Sequence, residues 1–142
     1  MSEHELTLAM IKPDTMNKGL APVIEQAFID AGLEIIYKKI LQLTMEQART
    51  ITGKLRERHL MPLIESYLTS GESEVLLLKG ENAIQRTRNL IGYTKLSNRE
   101  GAGLRGLYAE NYLYNAIHGS ATPEELERDI LTLIPEVLGE RK

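Results

Sequence analysis

The sequence predicts an α/β (α+β) fold: a four-stranded antiparallel sheet covered by helices on one face, with a helical pair inserted between the second and third strands. Three observations carry this expectation. Four short apolar runs are bounded by Gly, Pro or polar residues, as strands are. Stretches with helical spacing lie between them. The chain has 142 residues, which suits a single domain over 1–142 whose core buries roughly two-thirds of the unfolded surface.

The elements follow in order. Leu6, Leu8 and Met10 alternate with polar or small residues and predict the first strand. A helix is expected from Leu20 to Ala31, with Val23, Ala27 and Phe28 toward the core and Gly32 as its stop. Leu33 to Leu43, rich in Ile and Leu, predicts the second strand. Thr44 caps a helix, and Gln47 three residues later completes a capping box. Pro62 marks a new start, so residues 45 to about 70 form two short helices. Glu74 to Lys79 contains Val75-Leu76-Leu77-Leu78 and is a buried third strand. Asn82 to Leu90 is a helix ended by Gly92. Residues 93–106 are one long irregular segment, and such a loop in a small domain usually serves function. Ala116 to His118 is the short fourth strand. Thr122-Pro123-Glu124-Glu125 opens the last helix with a cap, a first-turn proline and acids at the positive end. The order β-α-β-(αα)-β-α-β-α is that of a ferredoxin-like βαββαβ sandwich of the split βαβ type. A parallel doubly wound sheet is the runner-up, weakened by the direct helix-pair insertion and the small strand count.

Composition narrows the function. Cysteine is absent, which excludes disulfides and thiolate metal sites. No apolar run is long enough to span a membrane, and Met1-Ser2-Glu3-His4-Glu5 is too polar for a secretory leader. A cytoplasmic location is therefore expected. The net charge of −3 argues against a broad nucleic-acid surface, which needs a basic face. A polyanionic small ligand remains compatible, because a few cations in a cleft reverse the field locally. An RNA-binding or regulatory module of the same fold would want paired aromatics on the central strands, and neither Leu6 to Ile11 nor Glu74 to Lys79 contains one.

Asn115-Ala116-Ile117-His118-Gly119-Ser120 places one of only three histidines between an apolar run and a Gly-Ser turn. A neutral imidazole there can act as nucleophile or base near neutral pH. His4 and His59 lie near the terminus and in a basic stretch, and read as surface residues. A phosphoryl acceptor needs one ring nitrogen aimed outward while the other donates to an oriented acceptor. Ser120 is close in sequence, and Asp129 on the following helix is a carboxylate that can accept from the ring. Lys12, Arg88 and Arg105 each read alone as ordinary surface charges. All three lie at element ends or in the long loop, where clefts form. A ring of cations around a nucleophile is what phosphoryl transfer requires. Gly101-Ala102-Gly103-Leu104-Arg105-Gly106 matches G-x-G-x-x-G. The dinucleotide fingerprint needs a strand just before it, and Lys95 to Glu100 is not one.

With Ile11-Lys12-Pro13-Asp14, Arg88, Thr94 and Arg105, the histidine hexapeptide resembles the active-site pattern of nucleoside diphosphate kinases. The resemblance runs the whole chain, without insertion or deletion from Lys12 to Asp129, and the short tail after the last helix resembles the bacterial type. It implies transfer of the terminal phosphoryl group of a nucleoside triphosphate to a nucleoside diphosphate through His118 in ping-pong fashion. It implies that Lys12 holds the ribose hydroxyl and phosphate region, that Arg88, Thr94 and Arg105 bind phosphates, and that Asn115 contacts the ribose. Ser120 and Asp129 would hold the histidine. Mg2+ would arrive bridging the nucleotide phosphates, with no direct protein ligand. A homo-oligomer built from dimers is implied as well.

Several positions depart from the family pattern. Thr52 replaces a tyrosine, Leu60 the phenylalanine that stacks on the base, Lys95-Leu96 an Asn-Pro pair, and Ala121 an aspartate. The stretch Gly101 to Leu107 keeps only Arg105-Gly106 of its usual pattern, and Asp129 replaces a glutamate one methylene longer. Tyr112, where a small aliphatic residue is usual, offers the base a stacking surface that Leu60 lacks. The alternative is a degenerate member acting mainly as a nucleotide-binding or protein-interaction module with weak kinase activity. The kinase is favoured, since a drifting relative would more readily lose His118, Arg88 or Arg105.

Overall fold

A strand buried on both of its faces organises the molecule. The computed structural model describes residues 4–53, 60–92 and 117–139. Strand β1, His4–Ile11, has every residue from Thr7 to Ile11 buried. It pairs antiparallel with β3, Ser73–Glu81, on one side and with β4, Ile117–Gly119, on the other. Strand β2, Glu34–Leu41, pairs antiparallel with the outer side of β3. The order β2-β3-β1-β4 is the predicted ferredoxin-like arrangement, and the sheet is antiparallel throughout.

Seven helices complete the described residues: α1 Pro13–Asn17, α2 Ala21–Asp30, α3 Met45–Thr52, α4 Met61–Leu68, α5 Ala83–Ile91, α6 Pro123–Leu133 and α7 Glu136–Gly139. They cover both faces of the sheet, which corrects the expectation of one. Ala9, Ile11, Leu76, Leu78 and Ile117 face Ile24 and Phe28 of α2 and Ala83 and Ile91 of α5. Leu8, Met10, Val75 and Leu77 face the inserted pair α3–α4 and the last long helix α6. The unbroken run Val75 to Leu78 already carried the signal, because a strand covered on both faces reads as continuous rather than alternating.

The helix phase of α2 also differs from the expected one. Val23 is 49% exposed, whereas Ile24 is fully buried beside Phe28. Leu20, Ile24, Ala27 and Phe28 form the inward stripe, a spacing of four and three that favours position 24 over 23. Gly32 follows the helix as expected, with its N–H to Ile29 and that of Leu33 to Phe28 closing the end. The capping box at Thr44 forms with both of its hydrogen bonds, 3.1 Å from the Gln47 N–H and 2.9 Å to the Gln47 side chain. Pro62 lies in the first turn of α4 and Thr122 caps α6. Two short helices, α1 and α7, were not expected. Pro13 ends the pairing of β1 and starts α1 at once, because its fixed φ suits a first helical turn. Among the described residues no helix is long and apolar enough to cross a membrane.

Candidate active site

The short strand β4 sets the position of the histidine. Met10 and His118 are cross-strand partners, as are Ile11 and Ile117. Parity then directs His118 to the face of Leu8 and Met10, under α6. Gly119 follows because α5 packs tightly there: a Cβ at this position would stand 2.7 Å from the Ile91 Cδ1 atom. The Ser120 N–H donates to the Leu8 carbonyl at 3.0 Å and fixes the turn after the strand.

Asp129, completely buried on α6, receives three groups. His118 Nε2 lies 2.9 Å from its Oδ2, and Ser120 Oγ donates to the same oxygen at 2.8 Å. Arg128 Nε donates to Oδ1 at 2.9 Å. Burial alone pushes this carboxyl up. The hydrogen bond and charge of His118, with the bonds from Arg128 and Ser120, outweigh it and hold the pKa below the usual 3.8. An ionised carboxylate only accepts, so Nε2 is the ring nitrogen that donates to it. The His118 side chain is 17% exposed. Sequence reasoning expected Asp129 to accept from the ring. It placed Ser120 beside the histidine to help hold it, and Ser120 bonds the same carboxylate oxygen that His118 contacts.

Lys12 caps α1 directly after β1, on the same parity as Met10 and His118. Its ammonium stands 5.7 Å from the centroid of the Tyr67 ring, within cation–π reach. The Tyr67 hydroxyl donates to Asp14 Oδ1 at 2.5 Å and ties α4 to α1. Leu60 opens α4 and is half-buried. Arg88 is exposed in the last turn of α5, the helix that packs across β1 and β4. Thr94, Arg105, Asn115 and Tyr112 lie outside the described residues, as does the loop over 93–106. The structure therefore brings His118, Ser120 and Asp129 together, and places Lys12 on their face of the sheet.

Tyr67 and Arg128 were not among the expected site residues. Tyr67 was findable as an aromatic in the helix after Leu60. Nothing in spacing marked Arg128, since neighbours on a helix do not face each other. Its Nε nonetheless bonds Asp129 Oδ1.

A family model described as nucleoside diphosphate kinase matches residues 5–137. The chain is similar to the nucleoside diphosphate kinase of Aquifex aeolicus at 31% identity and a TM-score of 0.85, covering 93% of this chain and 96% of that one. It is similar to the halophilic nucleoside diphosphate kinase of Halobacterium salinarum, solved in complex with CDP, at 27% identity and a TM-score of 0.85. That match covers 93% of this chain and 88% of the other. An NDP kinase from Pyrobaculum aerophilum shares the fold, with a TM-score of 0.83 at 24% identity, over 93% of this chain and 96% of that one.

Proposed function

Because this chain belongs to the nucleoside diphosphate kinase family and is an enzyme of that class, we propose that it works through a phosphohistidine on His118. The terminal phosphoryl group of a nucleoside triphosphate moves to the histidine, then to a nucleoside diphosphate. The observation that carries this reading is the 2.9 Å contact between His118 Nε2 and the buried Asp129. It holds the ring in one orientation and leaves Nδ1 as the nucleophile.

In the first half-reaction the Nδ1 lone pair attacks the terminal phosphorus. An N–P bond forms, the bond to the bridging oxygen breaks, and the nucleoside diphosphate leaves with that electron pair. The proton on Nε2 stays between the ring and Asp129, whose charge stabilises the imidazolium character that develops. In the second half-reaction an oxygen of the acceptor diphosphate takes the phosphoryl group and Nδ1 recovers its lone pair. Lys12, Arg88, Thr94 and Arg105 bind the phosphates, Lys12 and Asn115 the ribose. Leu60 covers one side of the base and Tyr112 the other. The family is generally Mg2+-dependent. The ion would ride on the nucleotide phosphates and neutralise their charge. Among the described residues no group of three or more His, Asp or Glu side chains is placed to hold it.

The same proposal takes residues 1–142 as one catalytic domain, sited in the cytoplasm as family members generally are, and assembled as a homo-oligomer of dimers. The outer strand β2 supports that assembly, with Ile36 and Ile40 exposed. Initial-rate kinetics test the mechanism. One site that binds donor and acceptor in turn gives parallel double-reciprocal lines. Intersecting lines would show direct transfer in a ternary complex and overturn the phosphohistidine route.

A further inference from the structure

Arg128 and Asp129 are sequence neighbours on α6, about 100° apart around the helix by its 3.6-residue turn. Their side chains nevertheless meet through the Arg128 Nε. The guanidinium then has two anchors. Nε donates to Asp129 Oδ1 at 2.9 Å, and Nη2 donates to the Ile51 carbonyl at 2.9 Å. Ile51 lies in the last turn of α3, where carbonyls lack helical partners and carry the negative end of the dipole. The remaining nitrogen lies beside a glycine. Nη1 would stand 3.0 Å from a Cβ at Gly53, the residue at φ +68° that ends α3. The group is thus held by two helices, with its side chain 29% exposed against 0% for Asp129.

We infer that Arg128 is a positioning residue for the phosphoryl acceptor: it fixes the Asp129 carboxylate so that Oδ2 alone faces His118 and Ser120. The role in transfer rests on the phosphohistidine reading above; the positioning itself does not. A carboxylate bound through Oδ2 only can turn about its own Cβ–Cγ bond and exchange oxygens. With Oδ1 held, the plane of the carboxylate is set, the ring keeps its proton on Nε2, and Nδ1 remains the basic nitrogen. Arg128 has no place in the nucleotide contacts proposed here, so its loss acts on the nucleophile and not on substrate affinity.

The test combines kinetics with nitrogen NMR of the imidazole in the full-length protein without nucleotide. Wild-type His118 shows the neutral Nε2–H tautomer. Arg128→Ala mixes the two tautomers and lowers kcat roughly ten- to a hundredfold, as loss of reacting geometry does, while KM for nucleotide stays within about twofold. Arg128→Lys, which keeps a charged donor, restores part of kcat and of the tautomer preference. If Arg128→Ala does not fold, Arg128→Met keeps the stem against α3 and answers the same question. Unchanged tautomer and kcat in a folded Ala or Met variant would overturn the inference. Because the tautomer is read without substrate, a wild-type enzyme that forms no phosphohistidine would sink the mechanism and leave the positioning result standing.

Discussion

Asp129 and Glu74 are both buried carboxylates, and their surroundings drive them in opposite directions. Asp129 has three donors and is held below the usual 3.8 in spite of its burial. Its contribution to stability is present above that value and is lost as pH falls through its lowered pKa. Glu74 on β3 is 5% exposed, and one of its oxygens, Oε2, has no hydrogen-bond partner. Burial, then the hydrogen bond and charge of Glu25, push it up to about 7, against a weaker opposing pull from Lys38. Glu25 is drawn the other way, by its bond with Glu74 and by Lys38 at 3.3 Å. Between the usual 4.5 and about 7, the folded protein holds a proton on Glu74 that the unfolded chain has released. Stability therefore falls as pH rises through that window. Glu74→Gln removes the titrating group and keeps a similar shape. Its melting temperature should fall less than that of the wild type between about pH 5 and about pH 8. Equal slopes for the two proteins would show that Glu74 is ionised in the fold throughout.

The elements divide by how local their causes are. Capping chemistry at Thr44 and Thr122, the stop at Gly32 and the restart at Pro62 were readable because each rests on residues within one turn. The inward stripe of α2 and the second covered face have signals spread over longer stretches, the four-and-three spacing around Ile24 and the unbroken run Val75 to Leu78, and these take their meaning from the sheet they pack on. At the site, His118, Ser120 and Asp129 could be grouped from spacing alone. The contribution of Arg128 could not, because it comes from a sequence neighbour of Asp129 that also bonds a carbonyl of α3. The outer elements carry a prediction of their own. β2 is an edge strand with Ile36 and Ile40 41% and 55% exposed, and exposed apolar edges invite pairing unless charged residues blunt them. A second copy with the same patch satisfies that edge by two-fold symmetry. Light scattering should give a mass above that of one chain, and Ile40→Lys should lower it toward the monomer. A wild type that is monomeric at micromolar concentration, or a variant with unaltered mass, would move the interface elsewhere or abolish it.

Over the whole molecule, the sheet separates the groups that hold His118, the proposed nucleophile, from part of those proposed to hold its substrate. The α3–α4–α6 face supplies Asp129, Arg128, Tyr67 and Leu60, while Arg88 comes from α5 on the opposite face. β1 and β4 lie between, with His118 paired to Met10 and Lys12 directly after β1. The departures at Thr52, Leu60 and Asp129 leave His118, the proposed nucleophile, unchanged. The claim that binds these parts together is that His118 is phosphorylated during turnover, and intact-mass analysis addresses it most directly. After brief mixing with ATP and Mg2+, the wild-type protein should gain one acid-labile phosphate, lose it on addition of a nucleoside diphosphate, and show none in His118→Ala. Stoichiometric labelling of His118→Ala, or turnover by a wild type that never carries the phosphate, would contradict it.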